Sequence, residues 1–282
     1  MKYGVKNQNK VKNYNSAVCS PYIVWSTIFI VVPLLMVVYY AFTDKTGAFT
    51  LKNINGLQGY AETFLISLLY AVAATVISLI IAYPFAYAMN NCSPAVRRML
   101  TMLIMLPMWM NFLIRTYSWI TILAKTGIIN KILGVFGIGP LQLINTPGAV
   151  ILGMVYNYLP YMILPIYTVM SKLDNSLLEA AADLGSSPIS RLRRVIIPLS
   201  MPGVISGITM VFVPSVSTFY ISQKLGGGKT LLIGDVIEMQ FQSSYNYNLG
   251  ASLSLVLMIL ILISLAIMNH FADSDDEGGI LI

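Results

Sequence analysis

Few side chains in this 282-residue chain have types and spacings that suit chemistry. The single histidine, His270, stands where the last apolar run ends and reads as an interfacial residue rather than a general base. Cys19 and Cys92 sit at the polar ends of apolar runs and are expected to remain reduced, with no disulfide and no metal cluster. Gly226-Gly-Gly-Lys229-Thr230 looks like the end of a phosphate-binding loop, but the first glycine of such a loop falls at position 223, which is Gln. It reads as a flexible external turn. In Leu231-Leu-Ile-Gly234-Asp235-Val-Ile-Glu238, the two carboxylates are three residues apart and share a helix face. They can receive a substrate or touch a partner protein, or they are a solvated pair of loop charges. One imidazole, no cysteine pair and no clustered acid leave no general base for an enzyme.

The elements that hold these residues are set by composition. The chain is 57% hydrophobic and 10% charged, whereas soluble domains carry roughly a quarter charged residues. With a mean hydropathy of +0.75, the solvent for most of the chain is lipid. Apolar runs cover about 22–42, 62–90, 99–124, 147–170, 198–221 and 249–270. The expected fold class is therefore an all-α membrane protein with six transmembrane helices. The expected organisation is a basic tail over 1–21, a first span and external loop over 22–61, a core of five spans over 62–270, and an acidic tail over 271–282. The first run is too long for a signal peptide's apolar core and is followed by no small-residue cleavage site. Pro33, Pro84, Pro107, Pro160, Pro165 and Pro214 interrupt hydrogen bonding within the spans, as packing kinks or as hinges. Residues 125–146 suggest a short amphipathic helix at the outer surface.

Basic residues orient the spans. With both termini inside, ten lie in the tail, the 91–98 turn and the 171–197 loop, namely Lys2, Lys6, Lys10, Lys12, Arg97, Arg98, Lys172, Arg191, Arg193 and Arg194. Six lie outside: Lys45, Lys52, Lys125, Lys131, Lys224 and Lys229. The net charge of +6 is spread over all polar segments and does not form a nucleic-acid patch. Arg115 falls within the third run. On a straight helix counted from Met99 it is about 24 Å from the inner end, so it reads as snorkelling to the outer headgroups, and if it lines a path it needs a partner.

The 171–203 loop has the most specific local pattern. Ser176 and Glu179 are spaced as a capping box, and Gly185 suits a left-handed helix end. Ser187 then caps a second helix that starts at Pro188. Alanines 180–182 keep one surface shallow, so another protein's backbone can approach closely.

Glu179-Ala180-Ala181 with Gly185, Ile197-Pro198 and Pro202-Gly203 resembles the EAA loop of the membrane subunits of ATP-binding-cassette (ABC) importers. Leu106-Pro107-Met-Trp109-Met-Asn111-Phe-Leu-Ile-Arg115-Thr-Tyr117, Phe219-Tyr220-Ile-Ser222, Gly226-Gly227 and Leu231-Leu-Ile-Gly234 extend the likeness to PotB-type permease subunits of spermidine/putrescine importers. The tails look less like that family.

The resemblance implies the MetI-like fold of type I ABC importer permeases in a bacterial inner membrane. It also implies two ATPase copies, a second homologous permease subunit and an extracytoplasmic polyamine-binding protein, all assembled in the lipid bilayer without nucleic acid. This chain then holds no cofactor, and ATP and Mg belong to the partner ATPase. Glu179, Ala180, Ala181, Gly185 and Pro198 are the implied ATPase-coupling residues. A flexible polycation needs aromatic faces and carboxylates along its path. That makes Trp109, Asn111, Tyr156, Tyr161, Tyr220, Asp235 and Glu238 pathway candidates, although aromatics in spans also serve as packing or interface anchors. The rival readings are a permease for another small cationic or organic solute, and an ATP-independent secondary transporter. The shortage of carboxylates within the spans argues against the latter.

Overall fold

The computed structural model describes residues 20–278. Cys19 and the basic tail through residue 19 lie outside the described residues, as do residues 279–282 of the acidic tail. The structure is helical in α1 Ser20–Ala41, α2 Ala61–Asn90, α3 Pro94–Trp109, α4 Phe112–Leu123, α5 Ile128–Val135 and α6 Pro147–Met170. It continues with α7 Asn175–Asp183, α8 Pro188–Val216, α9 Tyr220–Gly226, α10 Ile233–Gln242 and α11 Tyr247–Gly278. The acidic segment expected as a tail therefore continues the last helix as far as Gly278.

Five helical segments among the described residues are long and apolar enough to cross a membrane, and a sixth crossing exists if one bent pair counts as a single span. That pair corrects the expected third span. Residues 99–124 do not form one helix, because α3 and the Phe112–Val135 segment are bent by 93°. Met110 is extended at φ −77° and ψ 146°. Asn111 then restarts the helix as its N-cap, its Oδ1 accepting from the Leu113 N–H at 2.8 Å. Apolarity persists through the break, so hydropathy alone does not register it.

Two compact units are present. One combines the described part of Met1–Gln58 with Gln240–Val256, and the other combines Gly59–Met239 with the described part of Leu257–Ile282. In the first unit, carbonyls at the end of α1 and just beyond it take side-chain donors. Asn248 Nδ2 donates to Tyr40 O at 3.1 Å and Thr43 O at 2.7 Å. Ser252 Oγ donates to Ala41 O at 3.1 Å, and these bonds replace the missing next turn.

In the second unit α2, α6 and α8 pack on one another. The buried stripe of α2 runs through Ser67, Ala71, Ala74, Thr75, Ser78, Ala82 and Ala86, small residues at helical spacing that permit close helix approach, and ends on Met89. One cluster centres on Val150, Met154, Ile221 and Leu225. A second centres on Met162, Ile166, Ile196 and Val211. Turns of π-helix at Thr27–Val31 and Leu192–Ile196 precede Pro33 and Pro198, where the ladder must adjust to a missing N–H. Amphipathic α5 matches the expected short helix; Asn130 is buried there and its Oδ1 accepts from the Leu141 N–H at 2.8 Å.

Gly203 marks a close crossing of α8 on α6. A Cβ there would sit 2.9 Å from the Pro165 carbonyl oxygen and 3.1 Å from the Ile166 Cα, both backbone atoms. Gly203→Val is expected to destabilise the protein by about 1–3 kcal/mol through overpacking. Gly134→Ala, with no atom within 4 Å of its Cβ, should cause no loss. Thermal unfolding midpoints in detergent check both.

Candidate functional site

Two regions concentrate the candidate residues. In the loop between α6 and α8, Asp174 caps α7, its Oδ1 accepting from the Ser176 N–H at 2.9 Å. Hydrogen bonding from Ser176 holds the Asp174 carboxyl below its ordinary range. This corrects the capping box. The helix starts one residue earlier than Ser176, so Glu179 lies beyond the third helical position from which a side chain reaches back. Glu179 is exposed.

Gly185 ends α7 at φ +77°. Its N–H donates to Ala182 O at 2.8 Å while the Ser186 N–H donates to Ala181 O at 3.0 Å, the paired bonds of a left-handed helix stop. Ser187 Oγ then accepts from the Ser190 N–H at 3.3 Å, and Pro188 opens α8. Leu173, Leu178 and Leu192 turn inward onto the Met162 and Ile166 cluster. Leu184 and Ile189, on either side of the turn, are 89% and 78% exposed. Ala180 and Pro198 are exposed, and Ala181 is half-buried.

The second region joins α4 to α9. Tyr220 has its ring 5.8 Å from Phe112 and 6.4 Å from Tyr117. Lys224, one turn along from Tyr220, places Nζ 5.7 Å from the Tyr220 centroid and 5.8 Å from that of Tyr117. A cleft of about 320 Å³ adjoins them, lined in part by Phe112, Leu113, Tyr158, Pro214, Thr218 and Tyr220. Arg115 is 8% exposed, and its Nε and Nη1 are buried without hydrogen-bond partners. The guanidinium carbon lies 5.9 Å from the Phe112 ring centroid. The snorkelling reading is therefore corrected: the straight helix it assumed breaks at Met110, and Arg115 folds inward.

The other pathway candidates do not converge with Tyr220. Trp109 ends α3 at the break before α4 and is 80% exposed. Asn111 serves as the cap of α4. Tyr156 packs edge-on against Trp119 at 5.2 Å, and Tyr161 is 40% exposed. Asp235 is buried rather than solvated. Its Oδ1 accepts from the Ser222 hydroxyl at 2.9 Å and its Oδ2 from the Leu232 N–H at 2.8 Å. Glu238 Oε2 accepts from the Gln223 amide at 3.0 Å. Both carboxylates thus tie α10 to the chain around α9. Sequence reasoning missed Phe112, Tyr117 and Lys224 as site residues; the i, i+4 spacing of Tyr220 and Lys224 was the available signal.

The family described as the binding-protein-dependent transport system inner membrane component matches residues 82–274. The chain belongs to this family. It is a multi-pass permease subunit of an ABC importer, and similar curated proteins are named as permeases rather than enzymes. Over 227 residues it is 42% identical to the spermidine/putrescine transport system permease protein PotB of Haemophilus influenzae, covering 77% of this chain and 79% of that protein. The PotB protein of Escherichia coli is 41% identical over 227 residues, covering 77% and 82%. The inner membrane ABC transporter permease protein YdcU of Escherichia coli is 33% identical over 222 residues, covering 72% and 71%. The fold is that of ABC importer permeases: a chain in the crystal structure of a bacterial alginate importer aligns with a TM-score of 0.78 at 16% identity, covering 96% of this chain and 98% of its own.

Burial outweighs the two hydrogen bonds at Asp235 and pushes its carboxyl up to about 6 from 3.8. The permease fold therefore holds this proton more tightly than the unfolded chain does. The stabilisation is complete below the unfolded value and is lost as pH rises through about 6. Unfolding midpoints should fall between pH 4 and pH 6.5, and Asp235→Asn should flatten that part of the profile.

Proposed function

We propose that this chain is a transmembrane permease subunit of an ATP-driven importer for polyamines such as spermidine and putrescine. The observation that carries the reading is the identity of 38–42% with proteins named as spermidine/putrescine permeases, over most of both chains. The chain forms half of the translocation path, and a second, homologous permease subunit forms the rest. Both termini lie in the cytoplasm. An extracytoplasmic protein delivers the polyamine; among solved relatives, an alginate importer was crystallised with its periplasmic protein.

The loop of α7 and the start of α8 docks on one of two ATPase copies, which carry ATP and Mg. Its architecture supports that role. The Asp174 cap and the Gly185 stop fix a short helix, and exposed Leu184 and Ile189 offer apolar contact on either side of its turn. Glu179 has an exposed side chain that can meet a partner. α8 continues from this loop into a span, so a push on the loop reaches the membrane through one continuous helix.

The test is labelled spermidine uptake into proteoliposomes that hold this chain with its sister permease, ATPase and binding protein. Gly185→Asp forces a side chain into left-handed backbone, and Glu179→Lys reverses a charge at the docking face. Each is expected to lower uptake by about tenfold or more, equivalent to about 1.4 kcal/mol of lost coupling, with assembly unchanged by gel filtration. Import of some other solute but not spermidine would overturn the polyamine reading and leave the permease in place.

A further inference from the structure

Two tyrosine rings from two short helices face one ammonium group, a phenylalanine ring packs against one of them, and that ammonium belongs to the protein. Phe112 and Tyr117 come from α4, and Tyr220 stands at the start of α9. Tyr220 makes a tilted pair with Phe112 and an edge pair with Tyr117, interplanar angles 51° and 76°. The rings thus present faces in several directions. Lys224 Nζ lies within 6 Å of two of them, 5.8 Å from Tyr117 and 5.7 Å from Tyr220, the range in which a cation is attracted to the ring quadrupole. The neighbouring carboxylates are engaged elsewhere, Asp235 by Ser222 and Leu232 and Glu238 by Gln223. Arg115, beside Phe112, adds positive charge. Lys224 is therefore held by ring faces, with a second cation nearby.

The rings are more firmly placed than the lysine. Ile221 and Leu225 press α9 onto Gly153 of α6, where an added Cβ would come within 2.4 Å of Leu225 Cδ1. The far end of α9 is tied by Leu225 O, which accepts from the Asn145 N–H at 2.9 Å. Lys224 hangs from that anchored helix by a four-carbon stem with rotatable bonds. The cleft of about 320 Å³ next to Phe112 and Tyr220 offers space for a second methylene-linked amine.

We infer that Tyr117 and Tyr220, with Phe112 packed against Tyr220, form a subsite for a primary ammonium group, and that Lys224 is its built-in occupant, displaced when an ammonium group of the substrate arrives. The inference rests on the polyamine reading and deepens it by naming the subsite. A protein ammonium in the box competes with the substrate, so apparent affinity is reduced by the fraction of time the box is filled. Its return, assisted by repulsion between like charges, promotes release.

The experiment measures binding of labelled spermidine to the complex of this chain, its sister permease and the ATPase in nanodiscs, without the binding protein. Lys224→Met keeps the stem and removes the charge, and is expected to tighten binding by about two- to fivefold, the range of an exposed cation–π contact. Lys224→Arg, still a cation, should stay near wild type. In the Lys224→Met background, Tyr220→Leu should abolish the gain and Tyr220→Phe should keep it, which separates loss of the ring from loss of folding. Unchanged or weaker binding in Lys224→Met, or a gain that survives Tyr220→Leu, overturns the subsite. Uptake by the complete wild-type importer judges the polyamine reading separately. Uptake without any Lys224 effect on binding overturns only the subsite, and transport of another solute without spermidine overturns both.

Discussion

Where lipid replaces water, a backbone N–H or C=O that loses its helical partner must find another one, and this obligation governs the placement of polar side chains in the structure. Helix breaks coincide with such a side chain. At the break between α3 and α4, Asn111 accepts the Leu113 N–H. Where α1 stops, Asn248 and Ser252 donate to its last carbonyls. Between α9 and α10, Asp235 accepts the Leu232 N–H while Ser67 of α2 accepts the Ile233 N–H at 2.7 Å. These residues are polar by type and structural by function.

The same requirement explains why the chemically suggestive side chains sit on short helices rather than in the long spans. A span buries its stripe of small residues or shows lipid an apolar face, and neither leaves room for a charge. A short helix after a break can tilt away from that constraint. α4 carries Phe112, Arg115 and Tyr117, and α9 carries Tyr220 and Lys224. Their positions depend on caps and ties at their ends. α7 follows this logic in a polar setting, where Asp174 and Gly185 define both ends of a nine-residue helix that has few inward contacts.

What could be read from the sequence follows the range of the interactions involved. The spans were legible because hydropathy sums over twenty residues, and Gly185 was legible because a left-handed helix stop is encoded within four. The 93° bend was missed although Pro107 and Asn111 bracket it, because methionines and leucines keep the run apolar on both sides. The burial of Asp235 was not legible because its hydroxyl partner, Ser222, is thirteen residues away and reaches it only after the chain has turned through Gly227 and Gly228. Arg115 was misplaced for the first of these reasons: its height was counted along a helix that does not continue. Local signals survive reading in one dimension, and those that need a turn to be closed first do not.

The charge distribution has a mechanical meaning on the polyamine reading. A path lined with carboxylates would bind a polycation tightly and release it slowly, because each ion pair in a low-dielectric channel must be broken for the cargo to advance. This chain places no Asp or Glu in mid-span. It engages Asp235 and Glu238 in hydrogen bonds and surrounds the cleft with ring faces and hydroxyls. Ring faces attract an ammonium without a fixed counter-charge, and the attraction is weak enough to be exchanged between successive sites. Tight capture then belongs to a separate binding protein, whose affinity sets selection, while the permease needs only sites shallow enough to leave. The positive charges of Arg115 and Lys224 fit that division. Near an aromatic cluster they keep any single site shallow, so the work of moving cargo falls to the conformational change rather than to pulling the substrate out of a well.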